Sequence, residues 1–210
     1  MTHLTTARRA GAWLGIAGPV AYVLTWAVLG AIRPGYDPPS QAISELAEMG
    51  SATGPYMSAA FVVFGLAAIP FAVALRSSLP GPATDVMWAV TGCGLMTMAA
   101  AFFPCSPGCP GAGSSLSDNG HAVTATIGYL ALMAAPLLTG RALLTHRTNR
   151  RFAWWSMVAG GVGSVAMLVW ALGLFGDAGG AGQRGFNTLA DLWWASAGVW
   201  ILTTDPLPKD

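Results

Sequence analysis

Asp191 is the residue of this chain best placed to do chemistry, because it is a carboxylate within an apolar segment. Arg184, Asn187, Asp191 and Trp194 follow a 3-4-3 spacing, so on a helix they form one stripe. Ionisable groups inside membrane segments are costly and mark functional sites by default. Two interpretations stay open at this stage. Asp191 is either an acid that transfers protons, or a carboxylate paired with Arg184 or Asn187 that holds its helix in place.

Asp118 and His121 form a second candidate pair. They are three residues apart, so on a helix they share one face. A carboxylate beside an imidazole suits acid–base catalysis near neutral pH. The same spacing also suits a simple role for Asp118 as the cap of a helix that begins there.

Glu45 is the third candidate acid, in the segment 36–48. Pro38-Pro39-Ser40 looks like a helix start, with Ser40 as N-cap and Gly50 as the end. The segment predicts a short amphipathic helix with Gln41, Ser44, Glu45 and Glu48 on one face and Ile43, Leu46, Ala47 and Met49 on the other. Such a helix would lie at a membrane interface and bring Glu45 to the end of the second span. A lid with a solvated acidic face is the alternative.

The residues that would bind a substrate beside these acids are polar groups near them and tryptophans within the spans. These are Tyr36, Arg184, Asn187, Trp170, Trp193 and Trp194. Indoles inside spans either line a cavity or pack helices together. We predict that Glu45, His121, Arg184 and Asp191 converge on one pocket.

The elements that position these residues are membrane helices, as composition indicates. Residues of the AVILMFWYC set make up 54% of the chain and charged residues 9%, against about 25% charged residues in soluble domains. Continuous apolar stretches of about 20 residues predict transmembrane helices. We expect one all-α domain over residues 1–210 with six spans, at Trp13–Ile32, Tyr56–Leu75, Val86–Phe103, Ala122–Leu138, Phe152–Phe175 and Phe186–Leu202.

Basic residues predict the orientation of the six spans. Seven of them, Arg8, Arg9, Arg76, Arg141, Arg147, Arg150 and Arg151, flank one alternating set of connections, and Lys209 joins them at the C-terminus. The other set holds only Arg33 and Arg184. The positive-inside rule then places both termini in the cytoplasm, with a first span that is retained rather than cleaved. No basic run is long enough to indicate a nucleic-acid partner.

The cysteines predict no metal site. Cys105 and Cys109 flank a Ser-Pro-Gly turn. A disulfide between them is favoured over two free thiols. A zinc site is the least favoured alternative, because zinc needs about four ligands. Cys93 looks like an apolar packing residue. No phosphate loop or dinucleotide motif occurs, so no cofactor is expected. Small residues such as Gly160, Gly161 and Gly163 indicate close helix packing, and also suit a homo-oligomer.

Three stretches resemble a known family. They are Pro34-Gly-Tyr-Asp-Pro-Pro-Ser-Gln-Ala-Ile-Ser-Glu-Leu-Ala, Phe103-Pro-Cys-Ser-Pro-Gly-Cys-Pro running on to Asp118-x-x-His121, and Gly182-Gln-Arg184. This chain resembles the bacterial six-span membrane family named domain of unknown function 998. The resemblance implies a multi-pass protein of a bacterial cytoplasmic (inner) membrane. It implies little about activity.

A looser similarity connects the chain with small membrane-integral terpene cyclases. Those enzymes are similar in pairing an early Glu with an Asp in the last span, as Glu45 and Asp191 would here, although they have seven spans. The similarity implies an enzyme that binds a lipophilic isoprenoid and starts its cyclisation by protonation. Asp191 would be the donor, or Glu45 if Arg184 pairs with Asp191.

Two other functions compete with the cyclase hypothesis. A non-catalytic membrane subunit, or a lipid- or stress-related membrane protein, would use the same polar groups as loop anchors. A small carrier ranks last, because carriers often show internal repeats and broken helices that this sequence lacks. An aromatic cavity that reaches Glu45 and Asp191 would favour the cyclase, whereas solid packing behind Asp191 would favour the subunit.

Overall fold

The computed structural model describes residues 5–204, and this part of the chain is all-α, as predicted. Its helices are α1 (Thr6–Ile32), α2 (Gly54–Arg76), α3 (Thr84–Ala100), α4 (Leu116–Thr145), α5 (Arg150–Ala171) and α6 (Gly179–Thr203). Two short 3₁₀ helices, Ile43–Ala47 and Gly176–Ala178, lie in the connections. No strand occurs within residues 5–204. Lys209, used above for orientation, lies outside the described residues.

The six helices form a closed ring. Each helix packs against the next one along the chain, and α6 packs against α1 to close the circle. Successive helices therefore run in opposite directions around one interior. The starts of α2, α4 and α6 and the ends of α1, α3 and α5 meet at one end of the ring, which we call the loop end. The candidate residues Glu45, Asp118, His121 and Arg184 all belong to segments at this end.

Four helices, α1, α2, α4 and α5, are long and apolar enough to cross a membrane. Their outward faces carry exposed apolar side chains, for example Leu24 on α1, Leu66 on α2 and Val165 on α5. Aliphatic side chains on the outside of a bundle are stable when lipid, not water, surrounds it. The chain is therefore a multi-pass membrane protein.

Small residues determine how closely the helices approach. A Cβ atom on Gly94 of α3 would overlap the Cβ of Ala68 on α2, and Gly65 faces the same crossing. Gly160 of α5 likewise lies against Leu137 of α4, whereas Gly161 faces open space. Gly65, Gly94 and Gly160 thus serve packing between neighbouring helices of one chain.

The segment 36–48 differs from the predicted amphipathic helix. Only the five residues Ile43–Ala47 are helical, in 3₁₀ geometry. Ser40 does not cap them, because its hydroxyl donates to the Asp37 carboxylate at 2.6 Å. Residues of both predicted faces are buried, Ile43 and Leu46 of one face and Glu45 and Glu48 of the other, whereas Met49 is exposed. The predicted amphipathic helix was wrong, because only the five residues Ile43–Ala47 are helical. The alternative, a lid with a solvated acidic face, was wrong too, because neighbouring groups of the protein hydrogen-bond Glu45 and Glu48.

Candidate functional site

A cavity of about 60 Å³ lies inside the ring near its loop end, and Asp191 lies on its wall. We call it the acid cavity. Its aromatic wall consists of Tyr22 from α1, Phe61 and Phe64 from α2, and Tyr129 from α4. Cys93, Met96 and Leu132 add apolar surface, and Asn187 and His121 are among its polar residues. Five helices thus contribute to one small, mostly apolar space.

Asp191 is buried without a compensating partner. Its side chain is on α6 and the residue is 6% exposed. Within residues 5–204, its Oδ2 atom accepts no hydrogen bond, although buried polar groups are normally satisfied. The amide of Asn187, one turn earlier, donates to the Gln183 carbonyl at 2.9 Å. Neither of the expected partners, Arg184 or Asn187, therefore holds this carboxyl group.

A second cavity, of about 270 Å³, adjoins the acid cavity towards the loop end. We call it the vestibule. Ser44, His121, Ala125 and Tyr129 line both cavities. The vestibule is completed by the disulfide loop, Asp118, Thr126, Trp170 and Gln183. The two spaces therefore share one wall, and three of its four side chains are polar.

His121 and Asp118 do not form the expected pair. The Nδ1 atom of His121 lies 3.0 Å from the Phe103 carbonyl oxygen. A carbonyl only accepts, so Nδ1 carries the proton and Nε2 of the neutral ring keeps a free lone pair. Asp118 instead accepts from the Ser106 backbone N–H and from the hydroxyls of Ser106 and Ser115, each at 2.7 Å.

The prediction that Asp118 caps the start of a helix also differs from the structure. Ser115, not Asp118, is the N-cap of α4 and accepts from the Asp118 N–H at 3.0 Å. Asp118 returns the contact by accepting from the Ser115 hydroxyl. It therefore connects the loop 104–109 to the start of α4, and its carboxylate is fully engaged in that task. His121 alone of this pair is available to a molecule in the acid cavity.

Gln183 is a site residue that the sequence reasoning missed. It is 2% exposed and lies on α6, two turns before Asp191. Its side-chain oxygen accepts from the Ile43 backbone N–H at 2.6 Å, and its side-chain nitrogen donates to the Tyr129 hydroxyl at 2.7 Å. Gln183 thereby connects the 3₁₀ helix, α4 and α6. The Gly182-Gln-Arg184 stretch, quoted above for its resemblance only, was the available signal.

Glu45 does not reach the acid cavity. Its carboxylate accepts from the Gln41 amide and from the Ala42 backbone N–H, both at 2.7 Å. It lines neither the acid cavity nor the vestibule. The expectation that Glu45 and Asp191 share one pocket is therefore wrong. Local capping of the 3₁₀ helix satisfies Glu45 within its own loop.

Arg184 is also held by the connection between α1 and α2, residues 33–53, which we call the first loop. It lines neither cavity. Its guanidinium donates to the carbonyls of Pro38 and Gln41 at 2.6 and 2.8 Å and to the Tyr36 hydroxyl. The same group lies 5.4 Å from the Trp26 ring centroid, a distance typical of cation–π contacts. Burial raises the pKa of the Tyr36 phenol, and nearby Arg184 opposes that rise. Both residues fasten α6 to the first loop.

Arg33 and Glu48 complete this arrangement, and the sequence reasoning had not selected either as a site residue. Arg33 forms an ion pair with Glu48 and donates to the Glu45 carbonyl. Glu48 also accepts from the Gly108 N–H at 2.7 Å, which connects it to the disulfide loop. We call Arg33, Tyr36, Glu45, Glu48 and Arg184 the loop network. Its ionic groups are paired or hydrogen-bonded within the protein.

Of the three tryptophans predicted to bind a substrate, two pack helices together and one lines a cavity. Trp193 is fully buried, and its indole N–H donates to Ser156 on α5 at 2.9 Å. Trp194 is packed behind the cavity wall, with ring centroids 5.0 Å from both Phe64 and Phe71. Trp170 alone of the three lines a cavity, the vestibule, where its ring meets Tyr129 edge-on at 5.7 Å. Trp193 and Trp194 thus support the site without lining either cavity.

Cys105 and Cys109 form the expected disulfide. Cys93 is a free, buried thiol on the acid cavity wall. Among residues 5–204, no group of three or more His, Cys, Asp or Glu side chains is arranged to hold a metal ion. The acid cavity therefore offers one carboxyl group, one imidazole, the Cys93 thiol, Tyr and Thr hydroxyls and several aromatic faces.

Comparison with known proteins assigns the family. The family model described as "Protein of unknown function (DUF998)" matches residues 16–203, which is almost the whole described chain. The chain belongs to this family. No curated protein matches this DUF998 protein. No solved structure matches it either.

Proposed function

We propose that this DUF998 protein is a membrane enzyme that cyclises a lipophilic isoprenoid, with Asp191 as the acid that starts the reaction. The observation that carries the proposal is the Asp191 carboxyl group, buried with an unpartnered oxygen on the wall of an aromatic cavity. Desolvation favours the neutral form of a carboxyl group, so that its proton is available to a substrate. The cavity is small and mostly apolar, so a substrate that fills it leaves little room for water, which would otherwise capture a cationic intermediate.

The reaction needs no oxidant or cofactor. The carboxylic acid gives its proton to a terminal alkene carbon, and the adjacent carbon becomes a tertiary cation. The π electrons of an internal alkene then form a new carbon–carbon bond to that cation. The positive charge then lies on the other carbon of that internal alkene. A carbon next to this cationic centre loses a proton, which forms a new alkene and balances the proton that was added at the start. Product and substrate therefore have the same elemental composition.

Two features of the cavity wall suit this sequence. Aromatic faces attract cations through their quadrupole, and four aromatic residues surround the space: Tyr22, Phe61, Phe64 and Tyr129. His121 supplies a basic nitrogen, Nε2, because its Nδ1–H is engaged by the Phe103 carbonyl. We assign His121 the role of accepting the proton that the final cation releases.

The activity is tested by incubating the purified protein with a geranylgeranylated indole and with geranylgeraniol, then searching for products of unchanged mass. Asp191→Asn removes the proton and preserves the shape of the side chain. Asp177→Asn is the matched control, because Asp177 is exposed on the 3₁₀ helix before α6. Product from the wild type and the control but not from Asp191→Asn supports the proposal. Equal turnover by a folded Asp191→Asn protein would exclude it.

A non-catalytic membrane subunit is the second candidate function, and the loop network favours it. Glu45, Arg184 and Tyr36 are polar groups that would serve an enzyme, yet each is used to hold loops together. A subunit would need only such anchors. It leaves the unpartnered Asp191 carboxyl group without a purpose, and for this reason we rank it second.

The topology is part of the proposal: all six helices cross a bacterial cytoplasmic membrane, and the loop end faces outwards. Arg9, Arg76, Arg147 and Arg150 are exposed at the opposite end of the ring, which is the cytoplasmic end by the positive-inside rule. Ser114→Cys at the loop end and Arg150→Cys at the other end test this in intact cells. A membrane-impermeant maleimide should label only Ser114→Cys. Labelling of Arg150→Cys alone would reverse the orientation.

A further inference from the structure

The acid cavity has one acidic side chain on its wall and, within residues 5–204, no Lys or Arg. The acidic residue is Asp191, which is 6% exposed. Its Oδ2 atom has no hydrogen-bond partner in that part of the chain. A buried carboxylate without a partner is costly, so this side chain favours a ligand that brings the missing partner. A positively charged group is the partner that a carboxylate prefers.

Aromatic rings line the same space. The ring centroid of Tyr22 lies 6.1 Å from that of Phe61 and 5.4 Å from that of Phe64, with the ring planes inclined by 39° and 47°. Rings inclined in this way are not stacked face on face. Tyr129 adds a fourth ring from α4. Aromatic faces attract cations, and a cage of several rings is a common means of recognising alkylated ammonium ions.

An organic cation suits this wall better than a metal ion does. A calcium ion takes about six to eight oxygen ligands, and residues 5–204 hold no group of three or more His, Cys, Asp or Glu side chains arranged for a metal. An alkylated ammonium ion needs few hydrogen bonds, because its carbon substituents cover most of its surface. Where such an ion keeps an N–H, Nε2 of His121 is an acceptor on the same wall.

We propose that the acid cavity binds a small alkylated ammonium ion, with the Asp191 carboxylate as its counter-ion and the rings of Tyr22, Phe61, Phe64 and Tyr129 around it. At about 60 Å³, the cavity has room for roughly four water molecules at about 15 Å³ each, and so for a head group of a few heavy atoms. The inference does not rest on the proposed cyclisation, because it uses the charge of Asp191 and no proton transfer to carbon.

The proton of a neutral Asp191 carboxyl group is accounted for with either kind of ammonium ion. An uncharged tertiary amine takes the proton onto its nitrogen lone pair and becomes the ammonium ion, while the electron pair of the O–H bond stays on the carboxylate. A quaternary ion has no lone pair, so the proton leaves to water as the ion binds. Binding of a quaternary ion therefore releases about one proton if Asp191 starts neutral, and none if it starts ionised.

Binding is measured by titration calorimetry on the purified full-length protein in an uncharged detergent. Choline supplies a quaternary ammonium ion, and 3,3-dimethylbutan-1-ol is its uncharged counterpart with carbon in place of nitrogen. Because the two probes have the same shape, their affinity ratio reports recognition of charge. We expect choline to bind at least about thirtyfold more tightly. Phosphocholine adds a phosphate that no Lys or Arg on the described wall offsets, and should bind several-fold more weakly than choline.

Two pairs of variants locate the bound ion. Asp191→Asn keeps the shape of the side chain and removes its charge, so choline and its uncharged counterpart should bind within about threefold of each other. Asp177→Asn, at an exposed residue, should keep the wild-type ratio. Phe61→Leu removes one ring and should lower the ratio about threefold. Phe71→Leu is its control, because Phe71 is buried but does not line the acid cavity.

The outcomes separate this inference from the proposed reaction. Equal binding of choline and its uncharged counterpart, an unchanged ratio in Asp191→Asn, or no measurable choline binding would overturn the ammonium site even if turnover is found. Phosphocholine binding as tight as that of choline would also overturn it.

Proton release, measured in two buffers of different ionisation enthalpy, supplies the last distinction. Selective choline binding that is lost in Asp191→Asn, with release of about one proton per choline, would support both the ammonium site and a neutral Asp191 acid. The same selectivity without proton release would support the ammonium site and contradict the acid that the proposed reaction needs.

Discussion

The loop network and the acid cavity lie at the same end of the ring, but they differ in whether their ionisable groups have partners. In the loop network, Arg33 and Glu48 form an ion pair, and Glu45 accepts two hydrogen bonds from its own loop. In the acid cavity, Asp191 has an oxygen with no partner among the described residues. Glu45, Glu48 and Asp191 are all buried, so burial alone does not distinguish these carboxylates. The presence of partners does.

This difference follows from where the partners come from. Loops bring backbone N–H groups and carbonyls that a nearby side chain satisfies easily, as the Ala42 N–H does for Glu45. The middle of a helix has no free backbone groups to offer, so Asp191 depends on side chains or on a bound molecule.

Asp191→Asn should abolish turnover while the protein still folds and inserts. The carboxyl group is the only acidic side chain on the wall of the acid cavity, and we expect the rate to fall by at least about 10³, within the range for loss of a general acid and its electrostatic effect. Product formation is measured by mass spectrometry, with Asp177→Asn as control. An unchanged unfolding temperature together with lost turnover would show that Asp191 serves the reaction and not the stability of the fold.

Arg184→Met should damage the fold rather than the chemistry. The guanidinium donates to two carbonyls of the first loop and to the Tyr36 hydroxyl. Because hydrogen bonds to charged groups contribute about 1.5–3 kcal/mol each, we expect the loss of these three bonds to lower the unfolding free energy by at least about 3 kcal/mol. Titration with a denaturing detergent measures this. Arg150→Met, at an exposed residue, is the control and should change stability by less than about 0.5 kcal/mol.

The contact between α6 and the first loop also depends on the absence of a side chain at Gly180. A Cβ atom there would overlap the carbonyl oxygens of Pro38 and Gln41, and these carbonyls also accept from Arg184. Gly180→Ala should therefore cost about 1–3 kcal/mol of stability. Gly185→Ala, on the same helix but facing open space, should stabilise the protein by up to about 1 kcal/mol. A stable Gly180→Ala protein would show that the loop adjusts.

Removing the disulfide should have the smallest effect on turnover. The double variant Cys105→Ser, Cys109→Ser opens a loop of only a few residues, for which the chain-entropy model gives about 2 kcal/mol. The loop also keeps its contacts from Asp118 to Ser106 and from Glu48 to Gly108. We expect a loss of up to about 2 kcal/mol of unfolding free energy, and turnover within about twofold of the wild type. A large loss of turnover would show that the vestibule wall needs the covalent bond.

Sequence reasoning predicted the helices well, because apolar segments of membrane length leave few alternatives. The helix bounds shifted by several residues. For example, α4 runs on to Thr145, and α5 ends at Ala171, before the left-handed Gly173. The prediction that Arg184 and Asp191 lie on one helical stripe was right, because α6 begins at Gly179 and so includes both residues.

The partners of the polar residues could not be predicted in the same way. Arg184 looked like a partner for Asp191 by helical spacing, yet carbonyls of residues 38 and 41, far away in sequence, hold it instead. Gln183 was overlooked although the Gly182-Gln-Arg184 stretch contains it, because its role depends on contacts with Ile43 and Tyr129, which are far away in sequence. Spacing along one helix indicates which residues share a face, but not which loop lies over that face.

Cyclisation in deuterium oxide tests the central claim, that Asp191 delivers a proton to carbon, most directly. The acid exchanges its proton with solvent, so a geranylgeranylated indole should become a cyclised product that carries one deuterium at the former terminal alkene carbon. Mass spectrometry of the product measures this incorporation. We expect one deuterium per product from the wild type and no product from Asp191→Asn. A cyclised product without deuterium, or one made equally well by Asp191→Asn, would contradict the claim.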